Sequence, residues 1–172
     1  MKNEQLFVEQ VEEAVRRPED TLWCAERLAC VQIPDLSESP VSVQVLAECV
    51  DEFKFDWDNE PSSNDGVTAT GVIAKIRQIL GDVQSGNVYR RVFNAELVYS
   101  CLRGGAYTYK TVTQPMHSET VEEAVREKDE IRAASPKQYP GNEAYQLEDV
   151  RVYLKVVDQN DSTILEETFA LN

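Results

Sequence analysis

The chain has very little of what most catalytic chemistry uses. It holds a single histidine, His117, among 172 residues. A histidine general base needs an orienting partner and a target group, and none is marked around Pro115-Met116-His117-Ser118, where a loop or capping role is ordinary. The four cysteines, Cys24, Cys30, Cys49 and Cys101, contain no C-x₂-C pair. Structural zinc draws on such pairs because one loop must deliver two ligands at fixed geometry. Histidine-dependent and metal-dependent catalysis are therefore not expected, and neither is a cofactor. There is no G-x-x-x-x-G-K phosphate loop, no G-x-G-x-x-G and no G-x-S-x-G elbow. Long apolar runs are absent too. Nothing approaches the roughly 18 residues of a membrane span or the apolar core of about 7–15 residues of a secretory signal. The expectation is a cytoplasmic protein with reduced thiols. Cys30, Cys49 and Cys101 fall in apolar-periodic segments, so core packing is expected for them.

One near-match to a metal loop fails on inspection. Asp56-Trp57-Asp58-Asn59-Glu60 looks like the start of a calcium loop. Its sixth position is Pro61, where glycine makes the turn, and its twelfth is Val67, where a glutamate closes the site. With 31 acidic residues, two carboxylates will meet somewhere by chance, so spacing alone neither finds nor excludes a carboxylate-dependent enzyme.

Positive charge is scarce. Seventeen lysines and arginines face 31 acidic residues, a formal net charge of -14. A surface this negative repels phosphate backbones, so no nucleic-acid partner is expected, and the lack of an apolar span means that no membrane partner is expected either. The deficit is uneven. Residues 1–65 carry a net charge of -11 and residues 118–172 a net of -7. Between them, Lys75, Arg77, Arg90, Arg91, Arg103 and Lys110 outweigh Asp82 and Glu96, giving +4. A basic, tyrosine-bearing segment inside an acidic chain has two readings. Its arginines can pair with the chain's own carboxylates. Alternatively, they give the protein a bipolar surface that meets an acidic neighbour, as in head-to-tail assembly.

What is present reads as an α+β chain. Hydrophobic residues make up 42% of it and charged residues 28%, a globular composition. Asn3 caps a helix over residues 4–16, with Phe7, Val11, Ala14 and Val15 on one face. Pro18 starts a second helix that runs to about Cys30. Ser39-Pro40 opens a third, carrying Val43, Leu46, Ala47, Val50 and Phe53, although Val41, Val43 and Val45 also alternate like a strand. Phe53, Phe55 and Trp57 alternate with charged residues, which predicts a brief extended segment. Asn59 to Gly66 is the clearest loop and the candidate sub-boundary of an otherwise single domain, 1–172. Val72, Ile73, Ile76, Ile79 and Leu80 form a fourth helix that Gly81 can end.

Strand signals dominate from there on. Phe93, Ala95, Leu97, Tyr99 and Cys101 alternate, Gly104-Gly105 turns the chain, and Tyr107 to Thr113 returns. Thr120 and Glu123 form a capping box for a fifth helix ending near Ala134. Pro140-Gly141-Asn142 is a turn. Val150, Val152, Leu154 and Val156 alternate, Asp158 to Asp161 turns, and Thr163 to Leu171 returns. The expected architecture is a helical N-terminal half packed on an antiparallel sheet of two β-hairpins flanking one helix, ββαββ.

Arg90, Arg91, Arg103, Tyr107, Tyr109 and Lys110 are the candidate interface. Arg90 and Arg91 open the first strand, and strand ends and turns would gather the charges at a rim of the sheet. Aromatic residues on a β surface serve packing or a protein contact more often than base stacking. The architecture and the acidic balance are similar to those of small phage neck and tail subunits, an analogy that implies assembly and a place in a virion rather than the cytoplasm. The expected function is thus a non-catalytic interaction or assembly subunit, its partners other proteins or its own copies. An acidic inhibitor or immunity-type protein that blocks a basic partner is the alternative.

Overall fold

A computed structural model describes residues 2–59 and 66–169. Within it, α1 spans Lys2–Ala14, α2 Thr21–Leu28, α3 Val41–Asn59 and α4 Gly66–Gln84. β1 (Arg90–Arg103) and β2 (Ala106–Pro115) follow, then α5 (Val121–Ala134), β3 (Gln138–Tyr139), β4 (Asn142–Val157) and β5 (Thr163–Phe169). The chain is α+β. It divides into two compact units, Met1–Tyr89 and Arg90–Asn172. The division falls between Tyr89 and Arg90 rather than at the 59–66 loop. Of that loop, residues 60–65 lie outside the described residues, and the helices on either side of it belong to the same unit.

The first unit is helical because its apolar residues recur at helical spacing. Phe7, Val11 and Ala14 of α1 are buried, as are Cys24, Ala25 and Leu28 of α2. α2 starts later than Pro18. Asp20 is its N-cap, and its carboxylate accepts the Trp23 N–H at 3.1 Å, satisfying a donor with no partner inside the helix. α3 is helical throughout, so neither the competing strand at Val41–Val45 nor the extended segment at Phe53–Trp57 forms. Phe53 and Trp57 are four residues apart, and their rings stack with centroids 5.8 Å apart, a contact that helical spacing creates. Gly81 does not end α4. The helix passes through it to Gln84, and Gly86, at φ +74°, turns the chain instead.

The second unit is an antiparallel sheet with one helix against it. β1 pairs with β2 on one side and with β4 on the other. Along its far side, the long β4 pairs with the two-residue β3 near its start and with β5 near its end. β2 is thus an edge strand. The two expected hairpins, β1–β2 and β4–β5, are present; β3 is an addition. Gly104 and Gly105 both have positive φ, 57° and 81°, as a two-residue hairpin turn matching the strand twist requires. Phe93, Ala95, Leu97, Tyr99 and Cys101 of β1 form one core with Tyr145, Val150, Val152 and Leu154 of β4 and Ala124 and Ile131 of α5. The register explains the shared face: Leu97 is opposite Val150, Ala95 opposite Val152 and Phe93 opposite Leu154, and strand side chains alternate with a period of two.

Candidate functional site

The six candidate interface residues do not gather at one place. Arg90 and Arg103 stand at opposite ends of β1, and fourteen residues at about 3.3 Å each put those ends roughly 40 Å apart. The expected rim cluster of Arg90, Arg91, Arg103 and Lys110 is therefore divided. Arg90 forms an ion pair with Asp161 in the β4–β5 turn, the intramolecular alternative stated above for the basic segment. The Asp161 backbone holds a positive φ of 61°, which aspartate tolerates better than most residues. Arg91 is half-buried beside Val156 on the neighbouring strand.

The other four residues meet at the Gly104-Gly105 end of the hairpin, but on two faces. Tyr107 is opposite Leu102 and Tyr109 opposite Ser100. These residues have the opposite parity to the core positions of β1, so they lie on the face away from α5. Leu102 is 58% exposed, Tyr107 59% and Tyr109 57%, and the two tyrosine rings stack with centroids 6.4 Å apart. Three large apolar side chains on one sheet face, each more than half in water, form the clearest exposed patch among the described residues of the second unit.

Arg103 and Lys110 share the α5 face. The Lys110 ammonium lies 4.9 Å from the Tyr139 ring centre and 5.2 Å from that of Tyr145, and the Arg103 guanidinium lies 6.0 Å from Tyr145. Tyr139 stands edge-on to Tyr99 at 5.4 Å. The Tyr99 hydroxyl donates to the Pro136 carbonyl at 3.0 Å, and the Tyr145 hydroxyl shares a hydrogen bond with Thr108 at 3.0 Å. Burial pushes the Tyr99 phenol above its ordinary value. The two cations are thus held against ring faces, a favourable placement for a positive charge, and neither has a carboxylate within salt-bridge distance among the described residues.

Leu102, Tyr139 and Tyr145 escaped the sequence reading. Tyr139 is brought in by β3, too short to show any alternation, although the Pro140-Gly141 turn was legible and Gly141 takes φ +83°. Tyr145 precedes the regular alternation of β4, because the ladder to β1 shifts register at Val98/Tyr99.

The His117 side chain is 97% exposed. The group that matters there is Glu127 of α5, which accepts the His117 N–H at 2.8 Å, the Ser118 N–H at 2.9 Å and the Ser118 hydroxyl. Burial works to raise the Glu127 carboxyl, but the bonds from Ser118 and His117 outweigh it and hold the carboxyl below its ordinary value. The carboxylate fastens the segment leaving β2 to α5. Glu127→Gln is expected to cost about 1–3 kcal/mol, since two backbone donors lose a charged acceptor. A lowered folded-state value means that this contribution is present above the unfolded value and is lost as pH falls through the folded one. The gap in thermal midpoint between wild type and variant is therefore expected to close in acid. A gap unchanged across that range would show that the charge is not what holds the segment.

All four cysteines are free thiols. Cys101 is buried as expected, but Cys30 is exposed and Cys49 only half-buried, while Cys24 is fully buried. Cys30 lies beyond the end of α2, where helical periodicity no longer governs which side faces inward. In the first unit, the guanidinium carbons of Arg16, Arg17 and Arg27 lie 5.2, 4.5 and 4.5 Å from the Trp23 ring centre. Among the described residues, no cluster of histidine, cysteine and carboxylate side chains has the arrangement of a metal site, and no helix is long and apolar enough to cross a membrane. The chain matches no known family model, no curated protein and no solved structure.

Proposed function

We propose that this protein is a non-catalytic interaction or assembly subunit, and that the Gly104-Gly105 end of the β1–β2 hairpin is its contact surface. The supporting observation is the exposure of Leu102, Tyr107 and Tyr109 together on one face of an edge hairpin. Leaving that much apolar surface in water is unfavourable by roughly 25 cal/mol per Å², and such a patch on a soluble protein marks an interaction site. Tyrosine suits the role, because it presents a large rigid surface with few rotatable bonds and a polar tip. Arg103 and Lys110 border the patch from the opposite face and give this end of the unit a positive fringe. A fringe of that sign steers a protein partner with an acidic surface more than it adds affinity.

Site-specific photocrosslinking tests this reading. A photoreactive phenylalanine analogue at Tyr109, introduced into the full chain in its native cells, is expected to give a discrete protein adduct. The same analogue at Glu143, an exposed position on β4, serves as control. Equal or absent crosslinking at the two positions overturns the assignment of the hairpin end as a binding surface.

A further inference from the structure

The free edge of β2 is equipped to accept another strand, and we infer that the occupant is β2 of a second copy of this chain, paired antiparallel about a two-fold axis near Thr111. This rests on the contact surface proposed above and names its partner.

The direction of the edge groups follows from one hydrogen bond. The Met116 N–H donates to the Phe93 carbonyl at 3.0 Å, and the β1–β2 register continues to that pair, since Asn94 is opposite Pro115. In an antiparallel ladder, residues alternate between facing the partner strand and facing away from it. Gln114, Val112, Lys110 and Thr108 therefore turn their backbone groups toward β1. Thr113, Thr111, Tyr109 and Tyr107 turn theirs outward, where no strand pairs with them among the described residues. Pro115 is in the outward set, so its missing N–H falls on the open side, the one side of an edge strand where proline is tolerated.

Soluble proteins usually spoil such an edge with charge, proline, a bulge or short length. β2 has almost none of these. It runs ten residues in unbroken register with β1, proline comes only at its end, and the sequence Tyr107-Thr-Tyr-Lys-Thr-Val-Thr113 is β-branched and aromatic. Its one charge, Lys110, lies over Tyr139 and Tyr145 rather than guarding the edge.

Three considerations select a second copy. First, a strand already held extended by β1 pays little of the ordering entropy that a loose peptide pays on joining a sheet edge. Second, the sequence tolerates self-pairing. With Thr111 opposite its own copy, Tyr109 is opposite Thr113 and Lys110 opposite Val112, and the paired stretch ends before Tyr107, which would meet Pro115 and its missing N–H. Thr111–Thr111 and Tyr109–Thr113 are β-branched and aromatic pairs, Lys110 meets an uncharged valine, and no like charges face each other. Centring one residue earlier sets Lys110 against Lys110, which like-charge repulsion disfavours. Third, a two-fold axis perpendicular to the sheet keeps both copies' Tyr107 and Tyr109 on the same sheet face, one pair toward each end of the joint, so strand pairing needs no rearrangement of the exposed side chains. Each chain carries a net charge of -14, so added salt screens their mutual repulsion and tightens this dimer. Binding of the basic fringe to an acidic surface responds to salt in the opposite sense.

Sedimentation equilibrium of the full chain is the test. The expected mass tends toward twice 19.5 kDa as concentration rises, and does so more readily at high salt. Thr111→Pro removes an outward donor without touching the β1–β2 ladder, and Thr111→Lys sets lysine against lysine at the axis. Each is expected to raise the dimer dissociation constant by about tenfold or more with an unchanged circular dichroism spectrum. Should the proline variant unfold, the lysine variant decides. Thr111→Cys is expected to give a reductant-sensitive dimer above the wild-type background, whereas Thr113→Cys, displaced from the axis, gives none. A wild-type chain that stays at 19.5 kDa at all concentrations overturns the inference, and so does a dimer that survives both Thr111 substitutions. If that surviving dimer is lost with Tyr107→Ser and Tyr109→Ser together, the hairpin end is still a binding surface and only the strand pairing is wrong. A negative photocrosslink at Tyr109 removes the broader reading itself.

Discussion

Phe53→Ala is expected to destabilise the helical unit by about 3–5 kcal/mol, whereas Phe55→Ala, two residues on, costs less than about 1 kcal/mol. The contrast follows from the continuation of α3 through this segment. On a helix, residues four apart share a face and residues two apart do not. Phe53 is accordingly buried at 5% exposure and stacked on Trp57, while Phe55 points away at 63%. On an extended strand, Phe53, Phe55 and Trp57 would all lie on one side, and the two truncations would cost similar amounts. Urea denaturation followed by far-ultraviolet circular dichroism measures both. Equal losses at the two positions would mean that the segment is extended.

Leu154→Ala is expected to cost about 2–5 kcal/mol in the sheet unit. Leu154 is 5% exposed, opposite Phe93 and two residues from the fully buried Val152. Ala124 and Ile131 of α5 belong to the same core. The backbone of β4 is paired on both sides at this point, by Phe93 of β1 and Glu167 of β5, so it has little freedom to collapse into the cavity. Lys155 is the control: it alternates to the other face, where its ammonium lies 3.8 Å from Glu166 with both side chains partly in water. An exposed pair of this kind contributes about 0–1 kcal/mol, so Lys155→Ala is expected to change stability little. A loss below about 0.5 kcal/mol for Leu154→Ala would place its side chain on the surface and shift the register of the whole hairpin.

The candidate surface was half legible. Tyr107 and Tyr109 were visible because the Gly104-Gly105 turn fixes the hairpin, and the hairpin fixes which side chains share a face. Arg90 and Arg91 were grouped with them because charge counted along the chain ignores strand length. A fourteen-residue strand separates its ends by more than the distance over which exposed charges act in salt, and Arg90 then pairs with Asp161, seventy-one residues away in sequence.

The sequence by itself determined whatever depends on neighbours within a few residues. The capping box at Thr120 and Glu123 forms as the spacing requires. The alternation of Phe93 to Cys101 and of Val150 to Val156 is realised as buried strand faces, and the glycine pair closes a hairpin because only glycine adopts two consecutive positive φ values at no steric cost. Only the tertiary structure decided the rest. A period of two says which face a side chain takes but not which strand lies alongside. The insertion of β4 beside β1, the recruitment of Tyr139 through β3, and the exposure of β2 as an open edge all come from long-range backbone pairing, whose partners are set by the burial of the whole apolar face against α5 rather than by any local signal. The same holds for Phe53 to Trp57, where four-residue contacts inside a helix that continues from Val41 outweigh a local alternation that fits a strand equally well.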